Sequence, residues 1–345
     1  MAQLPSLSLV LAVRDRPEQF ALCLATLARQ TDPEFELVVV DDASRTPLQA
    51  LALPWPDQPR TLLRREASAG RAAARNACWR AAAGAVVCFL DSDILAQPGL
   101  AAAHRRGHAR GGPFAVSGFP WSWREVQTVA QPAGRVLLDG RAAVELAAAE
   151  AAQGAPRLLP PEQAPFLAFV TRDVSVRREV VAGAGGFWEG FVRYGLADWE
   201  LGYRLHRAGT RFLADPQAGC LHQAHPLPAR RHLDNALNYA LLLERHPDPE
   251  VALMALCPPW LDQEAYRRVC AALHRLRAIA PDWAAELRAP LLGHARAFAA
   301  RAAAGHALPG APPPLRAAGD ALRRWRAARD PAVAPLWAAL GGPGG

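Results

Sequence analysis

Residues 85–93, AVVCFLDSD, decide the reading of this chain. The first six form a continuous apolar run of strand length, the pattern of a strand buried on both faces of a parallel sheet. The run then breaks into Asp91-Ser92-Asp93. Open α/β sheets bind ligands beyond the carboxyl ends of their strands, so the acidic triplet falls where a ligand belongs. Side chains at i and i+2 of an extended segment point to one side. Two carboxylates so placed can hold a hard divalent cation together with a ribose or a diphosphate. Asp-x-Asp also occurs in plain turns, and its place after VVCFL is what gives it weight here.

Outward from that stretch the same grammar repeats. Leu7–Val13 (LSLVLAV) is a second continuous apolar run. Arg14-Asp15-Arg16-Pro17 then starts a helix, with Pro near its first position. Phe20, Cys23, Leu24 and Leu27 follow at helical spacing, and Thr31-Asp32-Pro33 ends it. Leu37–Val40 reads as a strand running into Asp41-Asp42, and Thr61–Leu63 as a short one. Ser68 is placed to cap a helix over Ala72–Ala83, which Gly84 terminates. Strands alternating with helices predict an open α/β sheet. Residues 111–165 are rich in Gly, Pro and Trp and receive no assignment. Phe166–Val176 reads as strand material and Asp198–Ala208 as a helix. After Arg230 the composition turns to Ala, Arg and Leu at helical spacing, broken at Pro258-Pro259 and Pro312–Pro314. The closing GGPGG is expected to be disordered.

Composition excludes several classes. Hydrophobic residues make up 51% of the 345 and charged residues 21%, too apolar for a disordered chain. No apolar run reaches the roughly 18–20 residues of a membrane span, and the first residues show no signal-peptide pattern, so a cytoplasmic protein is expected. The net charge is +7, and every basic residue is Arg. From Arg230 onward 15 arginines face 10 acids, so most of the excess sits in the C-terminal part. That part is expected to serve as a solvated helical face, a dimer contact, an acceptor platform or a contact with an anionic membrane surface. A nucleic-acid partner is not expected, since no basic-aromatic stripe or named motif accompanies the charge. Cys23, Cys78, Cys88, Cys220, Cys257 and Cys270 form no C-x-x-C pair, which argues against a thiolate zinc site and for small buried thiols in a reducing compartment.

Four further residues carry chemical promise. Asp42 closes the second strand and can accept hydrogen bonds from a base or ribose, although a turn or helix cap would use the same residue type. Arg71, Arg75 and Asn76 lie on the helix between the two acidic sites, and Arg75 is placed to meet a diphosphate.

Together, VLAVRDRPEQFALCLATLARQTDPEFELVVVDDAS and SAGRAAARNACWRAAAGAVVCFLDSD resemble the nucleotide-binding half of family 2 glycosyltransferases of the GT-A fold, over roughly the first 110 residues. DVSVRREVVAGAGGFWEGFVRYGLADWELGYRLHRAG is similar to the galactosyltransferase-type C-terminal segment that completes many such enzymes. RFLADPQAGCLHQAHP resembles the P-x-A…H stretch that follows, with Pro216, Ala218 and His222 at the family's spacing. The resemblance implies an α/β fold, a Rossmann-like open mixed sheet flanked by helices. A GT-A domain would span residues 1–229, divided at 110/111 into nucleotide-binding and acceptor halves, and residues 230–345 would add a helical extension.

The resemblance also implies roles. Ala12 and Asp15 would edge the nucleotide, Asp42 would accept from uracil, and Asp91 would contact the ribose or, through water, the metal. Asp93 would ligate the metal, with His222 as the second ligand and His225 as its alternative. Gly186 would let the backbone approach the donor sugar, and Asp198 would be the general base. Two positions depart from the family. Arg14-Asp15 stands where Tyr-Asn is usual, and Ala197-Asp198 where Glu-Asp is common, which bears on the acceptor. A base at a helix start meets the positive end of the macrodipole, which favours its charged form, although a plain N-cap would look the same in sequence. Trp199 is expected to stack on a sugar and Glu200 to bind an acceptor hydroxyl.

The expected activity is inverting, metal-dependent transfer from a nucleotide-sugar donor, uridine diphosphate in the first instance, to a carbohydrate or glycolipid hydroxyl, with Mn2+ or Mg2+ as cofactor. Cell-surface polysaccharide or glycoconjugate synthesis is the expected setting. A nucleotide-sugar-binding protein without turnover is the alternative. A nucleotidyltransferase would want an early glycine-rich loop and a catalytic Lys, and the chain has neither.

Overall fold

The computed structural model describes residues 4–118, 128–129, 139–149, 151, 153–223, 229–304 and 330–340. His225 and the closing GGPGG lie outside these residues, as does much of the 111–165 stretch. The chain divides into two compact units. The first comprises residues 1–159, 166–192 and 197–227. The second comprises residues 160–165, 193–196 and 228–345.

The first unit is built on β1 (Leu7–Val13), β2 (Phe35–Asp41), β3 (Arg60–Arg64) and β4 (Val86–Asp91), with α1 (Pro17–Leu27) and α2 (Arg71–Ala81) in the crossovers. These four strands are mutually parallel, in the order β3-β2-β1-β4. The chain therefore steps outward from β1 to β3 and then returns to the other side of β1. That reversal leaves a crevice beyond the carboxyl ends of β1 and β4, where Ala12 stands opposite Asp91. The apolar runs fill the core as their pattern demands. Leu9, Leu11, Val13, Leu37, Val39, Val86 and Cys88 are fully buried, together with Phe20, Cys23, Leu24 and Leu27 of α1. Truncating one such leucine to alanine costs on the order of 2–5 kcal/mol.

The sheet continues through β9 (Asp173–Arg177), β6 (Phe114–Ser117), β10 (Arg211–Ala214) and β8 (Arg157–Leu158). Strand β9 runs antiparallel to both β4 and β6, making the sheet mixed. A small second sheet sets β5 (Ile94–Ala96) and β7 (Thr128–Val129) on either side of β11 (Cys220–Gln223). Helices α3 (Leu100–His108), α4 (Gly140–Ala149), α5 (Arg178–Gly183) and α6 (Ala197–Arg207) complete the unit.

Two details differ from the sequence reading. Only the last four residues of 166–176 are strand, and Pro165–Ala168 forms a 3-10 turn. Ser68 does not cap α2 either. Gly70, at φ +92°, is the N-cap residue, and the Ser68 hydroxyl donates to Asp42 instead.

The second unit is helical: α7 (Arg231–Arg245), α8 (Pro249–Leu253), α9 (Gln263–Ile279), α10 (Pro281–Glu286), α11 (Arg288–Ala303) and α12 (Ala334–Ala339). Asp248 and Asp262 cap α8 and α9 with their side chains. Tyr239 and Tyr266 are fully buried at its centre. Asn238 of α7 donates to the carbonyls of Tyr194 and Gly195 at 3.1 and 2.7 Å, which fixes the 193–196 segment to this unit. No helix among the described residues is long and apolar enough to cross a membrane.

Candidate active site

The crevice beyond β1, β2 and β4 is lined by the residues that end those strands. Asp41 and Asp42 are neighbours with different duties. Asp41 is buried, and its carboxylate accepts from the backbone N–H of Ser44 and Leu48 at 2.9 and 3.1 Å and from Arg64. Burial alone would raise its pKa, but the hydrogen bonds from Ser44, Leu48 and Arg64 together lower it. Asp41 therefore holds the turn after β2. Asp42 is also buried, and its Oδ2 accepts from Ser68 at 2.6 Å. Its Oδ1 has no hydrogen-bond partner among the described residues, with Arg65 3.5 Å away. A buried carboxylate oxygen in that state is an acceptor for an incoming N–H or O–H.

Asp15 sits at φ +53°, and its N–H donates to Ser44 Oγ at 3.1 Å. Its Oδ1 accepts from the Arg45 N–H at 2.8 Å, and that backbone bond is the main cause of its lowered pKa. Asp15 thus ties the loop after β1 to the loop after β2. Ala12 is half-buried between Val40 and Asp91.

The second cluster lies around the Asp91-Ser92-Asp93 turn. Asp93 is buried. Its Oδ1 lies 3.5 Å from His222 Nε2, and its Oδ2 pairs with Arg16. The two-strand pairing explains the approach: His222 of β11 stands opposite Ile94 of β5, and the Gln223 N–H donates to the Asp93 carbonyl at 2.9 Å. The donor set fits a divalent cation, since one carboxylate oxygen and one imidazole nitrogen, at metal bonds of about 2.1 Å each, would sit roughly 3–4 Å apart. A second group of ligating side chains, Cys88, His104 and Asp173, lies within 4.8 Å of one another in the core. Its imidazole is already engaged at both nitrogens, 2.8 Å from Ser175 Oγ and 2.7 Å from Asp173 Oδ1. Burial also holds the Cys88 thiol well above its ordinary pKa. That group is a polar network inside the sheet rather than a donor-facing site.

Asp198, in the first turn of α6, does not spend its carboxylate on a helix cap. Its Oδ1 accepts from Arg75 at 3.1 Å. Its Oδ2 accepts from the Thr171 hydroxyl at 2.9 Å and the Thr171 N–H at 3.2 Å. The other end of the Arg75 guanidinium reaches Asp91 Oδ1 at 3.2 Å. One side chain of α2 therefore joins the end of β4 to the start of α6. Arg75 also lies over the Phe187 ring, with 5.9 Å to its centroid.

Glu200 behaves otherwise than its sequence suggested. It is fully buried, and both its oxygens hold Arg204, at 2.8 and 2.7 Å. Arg204 in turn donates to the carbonyls of Ala184 and Gly186. The carboxylate thus fixes the 184–186 loop, and a buried, doubly committed group does not face an acceptor. Gly186 is at φ +74°, and a Cβ there would come within 2.6 Å of Asn76 Oδ1 and 2.8 Å of Trp79 Nε1. Its missing side chain serves the close seat of this loop on α2. The Trp199 indole N–H donates to the Leu167 carbonyl at 3.2 Å, with the ring half-buried. Arg16, Thr171 and Arg204 escaped the sequence reading. Only Arg204 left a usable signal, since Glu200 and Arg204 are an i,i+4 pair.

Residues 8–128 match the model of Glycosyl transferase family 2. These residues are a family 2 glycosyltransferase domain. The chain is accordingly a transferase enzyme, and relatives agree. The uncharacterized glycosyltransferase YfnE of Bacillus subtilis (strain 168) is 27% identical over 275 residues, which cover 69% of this chain and 70% of that protein. Validoxylamine A glucosyltransferase of Streptomyces hygroscopicus subsp. jinggangensis (strain 5008) is 26% identical over 309 residues, 83% of this chain and 70% of that one. The chain is also similar in fold to S. aureus TarS 1-349, whose structure in complex with UDP-GlcNAc gives a TM-score of 0.52 at 14% identity over 97% of this chain and 89% of that one. The fold is GT-A: an open mixed sheet flanked by helices. The family match ends at residue 128, so the galactosyltransferase-like stretch lies beyond it.

Proposed function

We propose that the enzyme transfers a sugar from a nucleotide-diphosphate donor, with uridine as the first candidate, to a hydroxyl acceptor, with inversion at the anomeric carbon. The observation that carries the reading is the Arg75 bridge. It sets Asp198 beside Asp91 at the end of the strand where GT-A proteins receive their donor. In this reading Asp42 Oδ1 takes a base N–H, Ala12 and Asp15 border the nucleotide, and Asp91 faces the ribose. Arg75 meets the diphosphate, and the galactosyltransferase-like residues 173–209 form the acceptor side, with Trp199 against a sugar. Asp93 and His222 would hold Mn2+ or Mg2+, which when bound offsets charge on the departing diphosphate.

The acceptor oxygen attacks the anomeric carbon on the face opposite the diphosphate. Its proton passes to Asp198, the bond from carbon to the diphosphate oxygen breaks, and its electron pair leaves with the nucleoside diphosphate. General-base assistance of this kind is worth on the order of 10²–10⁴ in rate.

A binding protein without turnover is the second reading, favoured by Ala197 where the family commonly has Glu. Cytoplasmic synthesis of a polysaccharide or glycoconjugate is the proposed setting, in keeping with six unpaired cysteines. The extension is proposed to serve as a dimer contact or a membrane-surface contact. A panel of UDP-sugars with Mn2+ tests the function: one donor should raise the melting temperature and yield nucleoside diphosphate with an inverted product. A panel in which no nucleotide sugar binds overturns the reading, and binding without release of diphosphate selects the second one.

A further inference from the structure

We propose that Thr171 is a positioning residue for the base: its hydroxyl and its N–H together fix Asp198 Oδ2, so that Oδ1 is the oxygen that receives the acceptor's proton. This rests on the reading of Asp198 as the base. A carboxylate oxygen offers two lone-pair directions, and Oδ2 gives both to Thr171, at 2.9 and 3.2 Å. Oδ1 carries one contact among the described residues, the 3.1 Å bond from Arg75. That contact differs in kind from the threonine pair. Arg75 is shared with Asp91, and in the proposed function it also serves the diphosphate. Thr171 cannot move away, because the backbone around it is pinned. The Asp173 N–H bonds the Val170 carbonyl at 3.1 Å, closing a turn across Thr171, and the Asp91 N–H bonds the Arg172 carbonyl at 3.3 Å.

The helix side is equally fixed. Gly202 lies one turn beyond Asp198 on the same face of α6. A Cβ on Gly202 would come within 2.6 Å of Phe169 Cβ and 2.7 Å of the Phe166 carbonyl. The glycine lets α6 settle against the 166–169 segment closely enough for Asp198 to reach Thr171, itself 1% exposed. Trp199 adds a bond from the same turn of α6 to the Leu167 carbonyl. The base is therefore held by a rigid rail on one oxygen and a cation shared with Asp91 on the other. Catalytic groups gain from such preorganisation, since misplacement by an ångström costs about 10²-fold.

The charged groups facing Asp198 are Arg75 from α2 and, across it, Asp91 at the end of β4. Removing the hydroxyl leaves these in place and takes away one of the two donors that fix Oδ2.

The test is Thr171→Val, which keeps volume and the N–H, beside Thr171→Ser, which keeps the hydroxyl. Thr171→Ala stands in if the valine variant fails to fold. Transfer is followed at saturating donor, donor affinity is measured by calorimetry, and Asp198→Asn is run in parallel. Loss of a hydrogen bond to a charged group should slow kcat roughly tenfold to a hundredfold. Donor affinity should stay within about twofold, so that the loss falls on kcat, and serine should restore the rate. A Thr171→Val or Thr171→Ala enzyme with the wild-type kcat, while Asp198→Asn is inactive, overturns the positioning role alone. An Asp198→Asn enzyme with near-normal turnover overturns the base assignment beneath it.

Discussion

Lowering the pH from 7 to 5 should destabilise the first unit through one buried side chain, His108. This residue ends α3, is fully buried, and places Nε2 2.9 Å from Ser175 Oγ. Its Nδ1 has no hydrogen-bond partner among the described residues. Burial, with the neighbouring charges of His104 and Arg177, pushes its pKa from 6.5 down to about 3. The folded protein thus keeps His108 neutral where the unfolded chain protonates it. The associated stability is complete above the unfolded value and is lost as pH falls below it. Each unit is worth about 1.4 kcal/mol, so some 1.5 units between 6.5 and pH 5 amount to roughly 2 kcal/mol. His294 of the second unit is also lowered by burial and adds loss of the same sign. The assay is therefore a difference: urea unfolding of wild type and His108→Gln, each at pH 7 and pH 5. Glutamine can still reach Ser175 but does not titrate. The variant should lose about 2 kcal/mol less than wild type over that interval. Equal losses in the two proteins would refute the reasoning, because they would mean that His108 charges in the native state as readily as in the unfolded one.

Other outcomes follow from the same geometry. Glu200→Gln removes the charge that pairs with Arg204 while keeping the shape, and should cost about 2–4 kcal/mol in chemical denaturation, since Glu200 is fully buried; a loss below about 0.5 kcal/mol would mean the pair is solvated. Asp93→Ala should raise the Mn2+ concentration for half-maximal transfer by roughly tenfold or more, and an unchanged metal requirement would show that Asp93 is not a ligand. In the second unit, burial would raise the Glu250 pKa, but hydrogen bonds and charge from His274 and Arg277 lower it from 4.5 to about 2. Its contribution, roughly 3 kcal/mol, is present above pH 4.5 and lost toward pH 2. Glu250→Gln should flatten that acid limb, and an unaltered limb would contradict the pairing.

The sheet was legible because β1, β2 and β4 carry continuous apolar runs, and only a doubly covered strand needs them. Phe166–Val176 misled for the same reason. An apolar stretch of that length suits a strand or a buried 3-10 turn equally, and Pro165 at the start of the turn is the feature that separates them. Strand β6, four residues between Gly111-Gly112-Pro113 and Gly118, is too short to show a period. The acidic ends of the strands stood out, since charge at the end of a buried run has few structural uses. The approach of His222 to Asp93 depends on the pairing of β11 with β5, more than 120 residues apart in the chain, which no local pattern encodes. The burial of Glu200 against Arg204 was not legible because sequence does not show which face of an amphipathic helix is covered. Its i+4 arginine was the available clue. Thr171 gave no signal, for a threonine before a strand is ordinary and its partner lies 27 residues on.

The most direct measurement of the proposed chemistry compares Asp198→Asn with wild type in two readouts on one sample: calorimetric affinity for the nucleotide-sugar donor, and steady-state transfer. The account predicts donor affinity within about twofold and a fall in turnover of about 10² or more. A variant that transfers sugar at close to the wild-type rate would contradict it.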